Sequence, residues 1–107
     1  YVYVLKSVKD ELLYTGCTSD LKKRLKEHNL QKVPSTRNRA PFELIYYEFC
    51  RNEADAYHRE KYLKTAYGKK YIKNRLKNYF TAKKGSERNG AKEFMLFAGY
   101  AKGSLGE

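Results

Sequence analysis

Hydrophobic positions along the chain fall into short strand-like runs and longer stretches with helical spacing. Residues 1–6 and 11–15 are runs rich in Tyr, Val and Leu, separated by Ser7-Val8-Lys9-Asp10. Such a pair predicts a β-hairpin. Side chains alternate across a strand, so Tyr1, Tyr3 and Leu5 share one face and Val2 and Val4 the other. On the second strand Leu12, Tyr14 and Gly16 share a face. A loop with an even number of residues, either Lys9-Asp10 or Val8 to Glu11, puts Tyr3 and Tyr14 on the same face; a three-residue loop separates them. Residues 42–50, FELIYYEFC, form the strongest strand in the chain.

Helical spacing begins after Gly16. Thr18 and Ser19 are cap candidates, and Asp20 suits a first helical turn. Leu21, Leu25 and His28 recur at helical intervals through Asn29, with Arg24 flanking them. Asn52 caps a second helix, with Asp55 three residues on. Ala56, Glu60, Leu63 and Tyr67 line one face of it, and Gly68 can end it. Residues 69–79 restart a helix with Ile72, Leu76 and Tyr79 inward. Between the first helix and the third strand, residues 30–41 (LQKVPSTRNRAP) read as a basic loop bounded by prolines. The predicted order is β-β-α-β-α-α. It implies an α+β (α/β) fold in which a small central sheet of about three strands carries flanking helices. The length suits one domain, placed at residues 1–80. Residues 81–107 read as a C-terminal extension to which no structure is assigned.

Charge adds a partner to this picture. The chain has 23 Lys+Arg against 12 Asp+Glu, a formal +11. Residues 1–55 carry 10 basic and 8 acidic side chains, and residues 56–107 carry 13 and 4. So uneven an excess points to a polyanion, most often nucleic acid. An acidic membrane surface would call for a continuous amphipathic helix with a broad apolar face. No apolar run approaches the roughly 18 residues of a membrane span, so no membrane partner is expected. Cys17 and Cys50 lack metal spacing and are too few for a disulfide framework. They read as free thiols in a reducing compartment, and with no signal-peptide pattern the expected location is cytoplasmic.

A few residues break the local pattern. Glu60 occupies an apolar stripe, where a carboxylate must be paired, protonated or metal-bound. An ion pair with Lys64, or a shifted helix face, would explain it without function. A lone carboxylate can equally hold Mg²⁺ that keeps its waters and takes its other ligands from phosphate. Arg24, beside the Leu21–Leu25–His28 stripe, can hold a phosphate bidentately if it points at the sheet. His28 beside apolar residues is more often a structural hydrogen-bonder than an acid or base, and Tyr3 and Tyr14 taken alone are packing residues. The chain has no P-loop, no Gly-rich dinucleotide turn and no zinc pattern.

Taken in order, these residues resemble the GIY-YIG nuclease family. Tyr1-Val2-Tyr3 and Tyr14-Thr15-Gly16 stand for the two tripeptides, with Tyr1 replacing the first glycine and Thr15 the second isoleucine. Arg24 and His28 in LKKRLKEHN match the family's Arg and His, and Glu60 in EADAYHREKYLK matches its metal-binding Glu. Residues 1–79 most resemble the small stand-alone proteins that are similar to the excinuclease nuclease domain. The resemblance implies hydrolysis of DNA phosphodiesters with Mg²⁺ or Mn²⁺ held by Glu60. Arg24 would stabilise transition-state charge. Tyr3 or Tyr14 would relay a proton from the attacking water, with the balance towards Tyr14, and Tyr3 and His28 in support. Asn74 matches a C-terminal Asn of the family, although Asn78 competes for that role.

Gly16 would leave room for the phosphate backbone to approach. Arg37, Arg39, Lys69, Lys70, Lys73 and Arg75 would grip double-stranded or branched DNA in a sequence-blind, salt-sensitive way. The absence of a base-reading module suggests selection by structure or strand, or targeting by another protein. A non-catalytic nucleic-acid-binding protein and a protein-interaction module are the rival readings.

Overall fold

A six-residue strand with every residue buried, β1 (Val2–Ser7), runs through the middle of the fold. The computed structural model describes residues 1–82. The 81–107 extension named above lies almost wholly outside them. β1 pairs antiparallel with β2 (Leu13–Cys17) on one side and β3 (Phe42–Glu48) on the other, in the order β2-β1-β3. Helix α1 (Leu21–Asn29) and a 3-10 turn (Arg37–Arg39) separate β2 from β3; α2 (Glu53–Leu63), α3 (Ala66–Arg75) and α4 (Lys77–Thr81) follow. The β-β-α-β-α-α order is therefore present, with the last helix split in two.

The hairpin takes the longer even loop. Ser7 N–H donates to Leu12 at 3.0 Å and Glu11 N–H to Ser7 at 2.8 Å, enclosing Val8 to Glu11. Glu11 closes the turn at φ 61°, in the left-handed region. Leu5 then pairs with Tyr14 and Tyr3 with Gly16, so Tyr3 and Tyr14 are diagonal neighbours on one face. A bulge between β1 and β3 turns both Ile45 and Tyr46 to the opposite face.

Each face of the sheet has its own core. Val2 and Val4 pack with Ala56, Leu63 and Ile72 under α2 and α3. Tyr3 and Leu5 pack with Leu21, Phe42 and Leu44 under α1. Asn29, at the end of α1, clamps β3 by donating to the Phe42 carbonyl at 3.2 Å and accepting from its N–H at 2.6 Å.

Four local expectations are corrected. Asp20 itself caps α1, accepting from Lys23 N–H at 3.0 Å; Thr18 instead accepts from Asp20 N–H, shaping the turn before it. Gly68 does not end α2. It lies inside α3, whose cap Thr65 accepts from Gly68 N–H at 3.1 Å. A Cβ there would strike the Tyr62 carbonyl and Leu63 Cα, so glycine lets α3 start hard against the end of α2. Tyr67 consequently leaves the α2 stripe and is 78% exposed. Leu76 breaks the helix predicted over 69–79, and the bend sets Tyr79 over the Lys6 ammonium, 5.5 Å from the ring centre.

Candidate active site

Tyr3 is the hub of the candidate site, and it is buried. It stands on β1 opposite Gly16, and its ring lies over the glycine's Cα, where a Cβ would meet the phenol oxygen and ring carbons. The room at Gly16, expected above to admit a phosphate backbone, is filled by Tyr3. The Tyr3 hydroxyl sits 2.9 Å from His28 Nε2. His28 is fully buried, and its Nδ1 lies 2.8 Å from the Thr36 hydroxyl. Rings of Tyr3, Tyr14 and Phe42 surround the imidazole, with centroids 5.8, 5.1 and 5.7 Å away.

Arg24, on α1, acts on the same phenol. Burial pushes Tyr3 up to about 12; Arg24 opposes that rise, while the charges of Tyr14 and Glu60 add to it. The Tyr3 phenol in turn raises the pKa of Arg24. Arg24 also holds Glu27 at 3.1 Å, and its side chain stays 38% exposed. Burial, reinforced by the Arg24 charge, lowers His28 to about 4 and keeps the imidazole neutral at pH 7. Tyr14, on the edge strand, is half-buried, and its ring centre is 6.4 Å from that of Tyr3.

Glu60 comes from α2, the helix on the other face of the sheet. β2 is an edge strand, so groups from both faces can meet around it. The Glu60 charge acts on both the Tyr3 phenol and the Cys17 thiol of β2. Its side chain is 18% exposed and pairs with Lys64 at 3.1 Å, the non-functional partner weighed above. Among the described residues no group of three or more His, Cys, Asp or Glu could cage a metal. This donor set suits an ion that keeps its waters and takes its remaining ligands from phosphate. The Lys64 ammonium marks a place where the carboxylate already accepts a cation.

The expected substrate-contacting residues divide. Arg37 is exposed, as are Lys69, Lys70, Lys73, Asn74 and Arg75 along α3. Lys69 borders a groove of about 220 Å³ that also includes Tyr14, Thr15 and Lys64 above a floor of Val4 and Leu63. Arg39 is engaged otherwise: its Nε donates to Asp10 at 2.9 Å and its guanidinium covers the Phe42 ring. Glu27 and Thr36 also belong to the site, although no sequence pattern singles them out. Thr36 is 1% exposed within a loop whose polar residues gave no local sign of burial.

The signature of the GIY-YIG catalytic domain matches residues 1–73. The chain belongs to the GIY-YIG family. A UPF0213 protein of Clostridium perfringens is 42% identical over 97 residues, covering 90% of this chain and 98% of that protein. UPF0213 proteins of Streptococcus pyogenes reach 57% identity over 49 residues, 45% of this chain and 52% of their own length. No solved structure matches. The GIY-YIG domain gives the chain a nuclease-type function in general terms. Among the described residues no helix is long and apolar enough to cross a membrane.

Proposed function

We propose that this GIY-YIG chain is a divalent-metal-dependent endonuclease that hydrolyses DNA phosphodiester bonds, selecting by structure or strand rather than by sequence. One observation carries the reading. The His28 imidazole meets the Tyr3 hydroxyl, a second phenol stands beside them, and the Arg24 and Glu60 charges act on the Tyr3 phenol. Arg24 faces the phosphate and stabilises the charge that grows on its oxygens in the transition state. Tyr14 relays a proton: its phenol oxygen takes one from the attacking water while its own hydroxyl proton passes to solvent, as the water oxygen bonds to phosphorus. The bond from phosphorus to the leaving sugar oxygen breaks, and that oxygen is protonated from solvent. Tyr3 and His28 stand behind this surface and hold Arg24 in place. Glu60 would hold Mg²⁺ or Mn²⁺, which when bound would supply Lewis-acid neutralisation of the phosphate charge. Exposed Arg37 and the α3 cations hold the DNA backbone, and a targeting protein can supply the choice of site.

The Glu60–Lys64 pair favours a second reading, in which the carboxylate is structural and the chain binds nucleic acid without cutting it. The separating experiment incubates the protein with nicked, flapped, branched and single-stranded DNA in Mg²⁺, Mn²⁺ or EDTA. Cleavage that disappears in Glu60→Ala and Arg24→Ala while binding persists is the expected result. Salt-sensitive binding with no cleavage by the wild type on any substrate would establish the second reading instead.

A further inference from the structure

We infer that Thr36 is a positioning residue: its hydroxyl fixes the tautomer of His28 and, through it, points the Tyr3 hydrogen away from Arg24. This rests on the reading that Arg24 serves the reaction, but most of its test does not depend on cleavage. A neutral imidazole has one N–H and one acceptor nitrogen. Both nitrogens of His28 face hydroxyls, Tyr3 at 2.9 Å and Thr36 at 2.8 Å, and a hydroxyl can donate or accept. The ring alone therefore allows either tautomer. The groups beyond the two hydroxyls decide between them.

At one end, the Thr36 hydroxyl lies 3.5 Å from the Val33 carbonyl, which can only accept. A Thr36 proton directed there leaves a lone pair for an N–H at Nδ1. At the other end, Arg24, which acts on the Tyr3 phenol, can only donate. Tyr3 then accepts from Arg24 and donates to His28 Nε2. One direction satisfies every group: Arg24 to Tyr3, Tyr3 to His28, His28 to Thr36, Thr36 to Val33. The reverse direction makes the Tyr3 oxygen accept twice and leaves its own proton to find a third partner in a buried site. Leaving such a group without a partner is costly.

The backbone around Thr36 is built to hold this geometry. Thr36 N–H donates to Val33 at 3.0 Å and Arg39 N–H donates to Thr36 at 2.9 Å, closing a turn on each side. Val33 and Thr36 are buried, while Pro34, Ser35 and Arg37 are exposed. Around Thr36 the loop thus turns Arg37 outward and a single hydroxyl inward.

The test uses Thr36→Val, which keeps the shape and removes the hydroxyl, and Thr36→Ser, which keeps the hydroxyl. Long-range ¹⁵N–¹H correlation spectra of the wild type are expected to show His28 protonated at Nδ1. In Thr36→Val that pattern should give way to the other tautomer or a mixture, and Thr36→Ser should restore it. For the cleavage rate at saturating substrate, Thr36→Val should fall by about tenfold, the equivalent of one hydrogen bond. Its DNA affinity in EDTA should be unchanged. Protonation at Nε2 in the wild type overturns the inference, even if the valine variant does not fold. An unchanged tautomer in folded Thr36→Val, or equal rate losses in the valine and serine variants, also overturns it. Complete absence of cleavage would sink the proposed function and leave the spectra to judge Thr36.

Discussion

Two groups of tyrosine, arginine and glutamate lie on opposite faces of the sheet, and they differ in how completely they close. Under α2 and α3, Arg59 grips Glu48 with Nε at 3.0 Å and Nη2 at 2.9 Å. The Tyr46 hydroxyl donates to the same carboxylate at 2.7 Å, and the Tyr62 and Tyr71 rings flank the guanidinium at 5.3 and 4.9 Å. Arg59 holds Glu48 below the usual carboxylate range, and Glu48 raises Arg59. Its charges answer one another. Under α1, Tyr3 meets a neutral imidazole instead of a carboxylate, and Arg24 meets Glu27 through one nitrogen while remaining partly in solvent. That group has cationic capacity turned outward. Similar residue types therefore make a brace on one face and a candidate site on the other, and the position of the carboxylate decides which.

Removing each arginine is the strongest way to break the comparison. Arg24→Ala is expected to cut the cleavage rate by about 10²- to 10³-fold, the cost of losing a preorganised charge at the transition state. Its urea midpoint should barely move. Arg59→Ala should do the opposite, with a stability loss of about 2 kcal/mol from severed charge-assisted hydrogen bonds and cleavage close to wild type. Loss of cleavage in Arg59→Ala with unchanged stability would erase the distinction.

The same contrast explains how much was legible in the sequence. The strands and α1 follow from alternation and helical spacing, which are local; the shared face of Tyr3 and Tyr14 needed in addition an even hairpin loop, which alternation left open. Family resemblance drew Arg24, His28 and Glu60 together where spacing alone could not. Arg59–Glu48, Arg39–Asp10 and His28–Thr36 escaped because each joins segments through a specific side-chain meeting that no periodicity encodes. Gly68 was misread because a glycine that permits close helix contact looks, in one dimension, like a glycine that ends a helix.

Acid should separate the two faces next. The folded pKa of His28, about 4, lies below its ordinary 6.5, so the unfolded chain binds this proton first. The His28 contribution is complete above pH 6.5 and is lost as pH falls towards 4, amounting to about 3 kcal/mol. The Glu48 window opens lower: its contribution is present above its ordinary 4.5 and is lost as pH falls through its depressed folded value. Urea midpoints measured from pH 7 to 3 should thus fall in two stages. His28→Gln should remove the first stage and leave the second. A wild-type midpoint that stays flat from pH 6.5 to 4.5 would show that the imidazole is not held neutral by burial.

The smallest test repeats the comparison within one loop. Arg37 and Arg39 are two residues apart, and both were expected to hold DNA. Arg39 is committed at both ends of its reach, to Asp10 through its side chain and to Ser7, whose hydroxyl donates to its carbonyl at 2.6 Å. Arg37 has its side chain in solvent. A cation that neutralises one phosphate contributes a slope of about 0.9 to the dependence of log affinity on log salt. Arg37→Ala should therefore lower that slope by about 0.9 and leave the melting temperature alone. Arg39→Ala should leave the slope alone and lower the melting temperature, because it unties the loop from the hairpin. If Arg39→Ala lowers the slope as much as Arg37→Ala, then DNA competes successfully for the tied guanidinium, and its bond to Asp10 is a resting contact that substrate replaces.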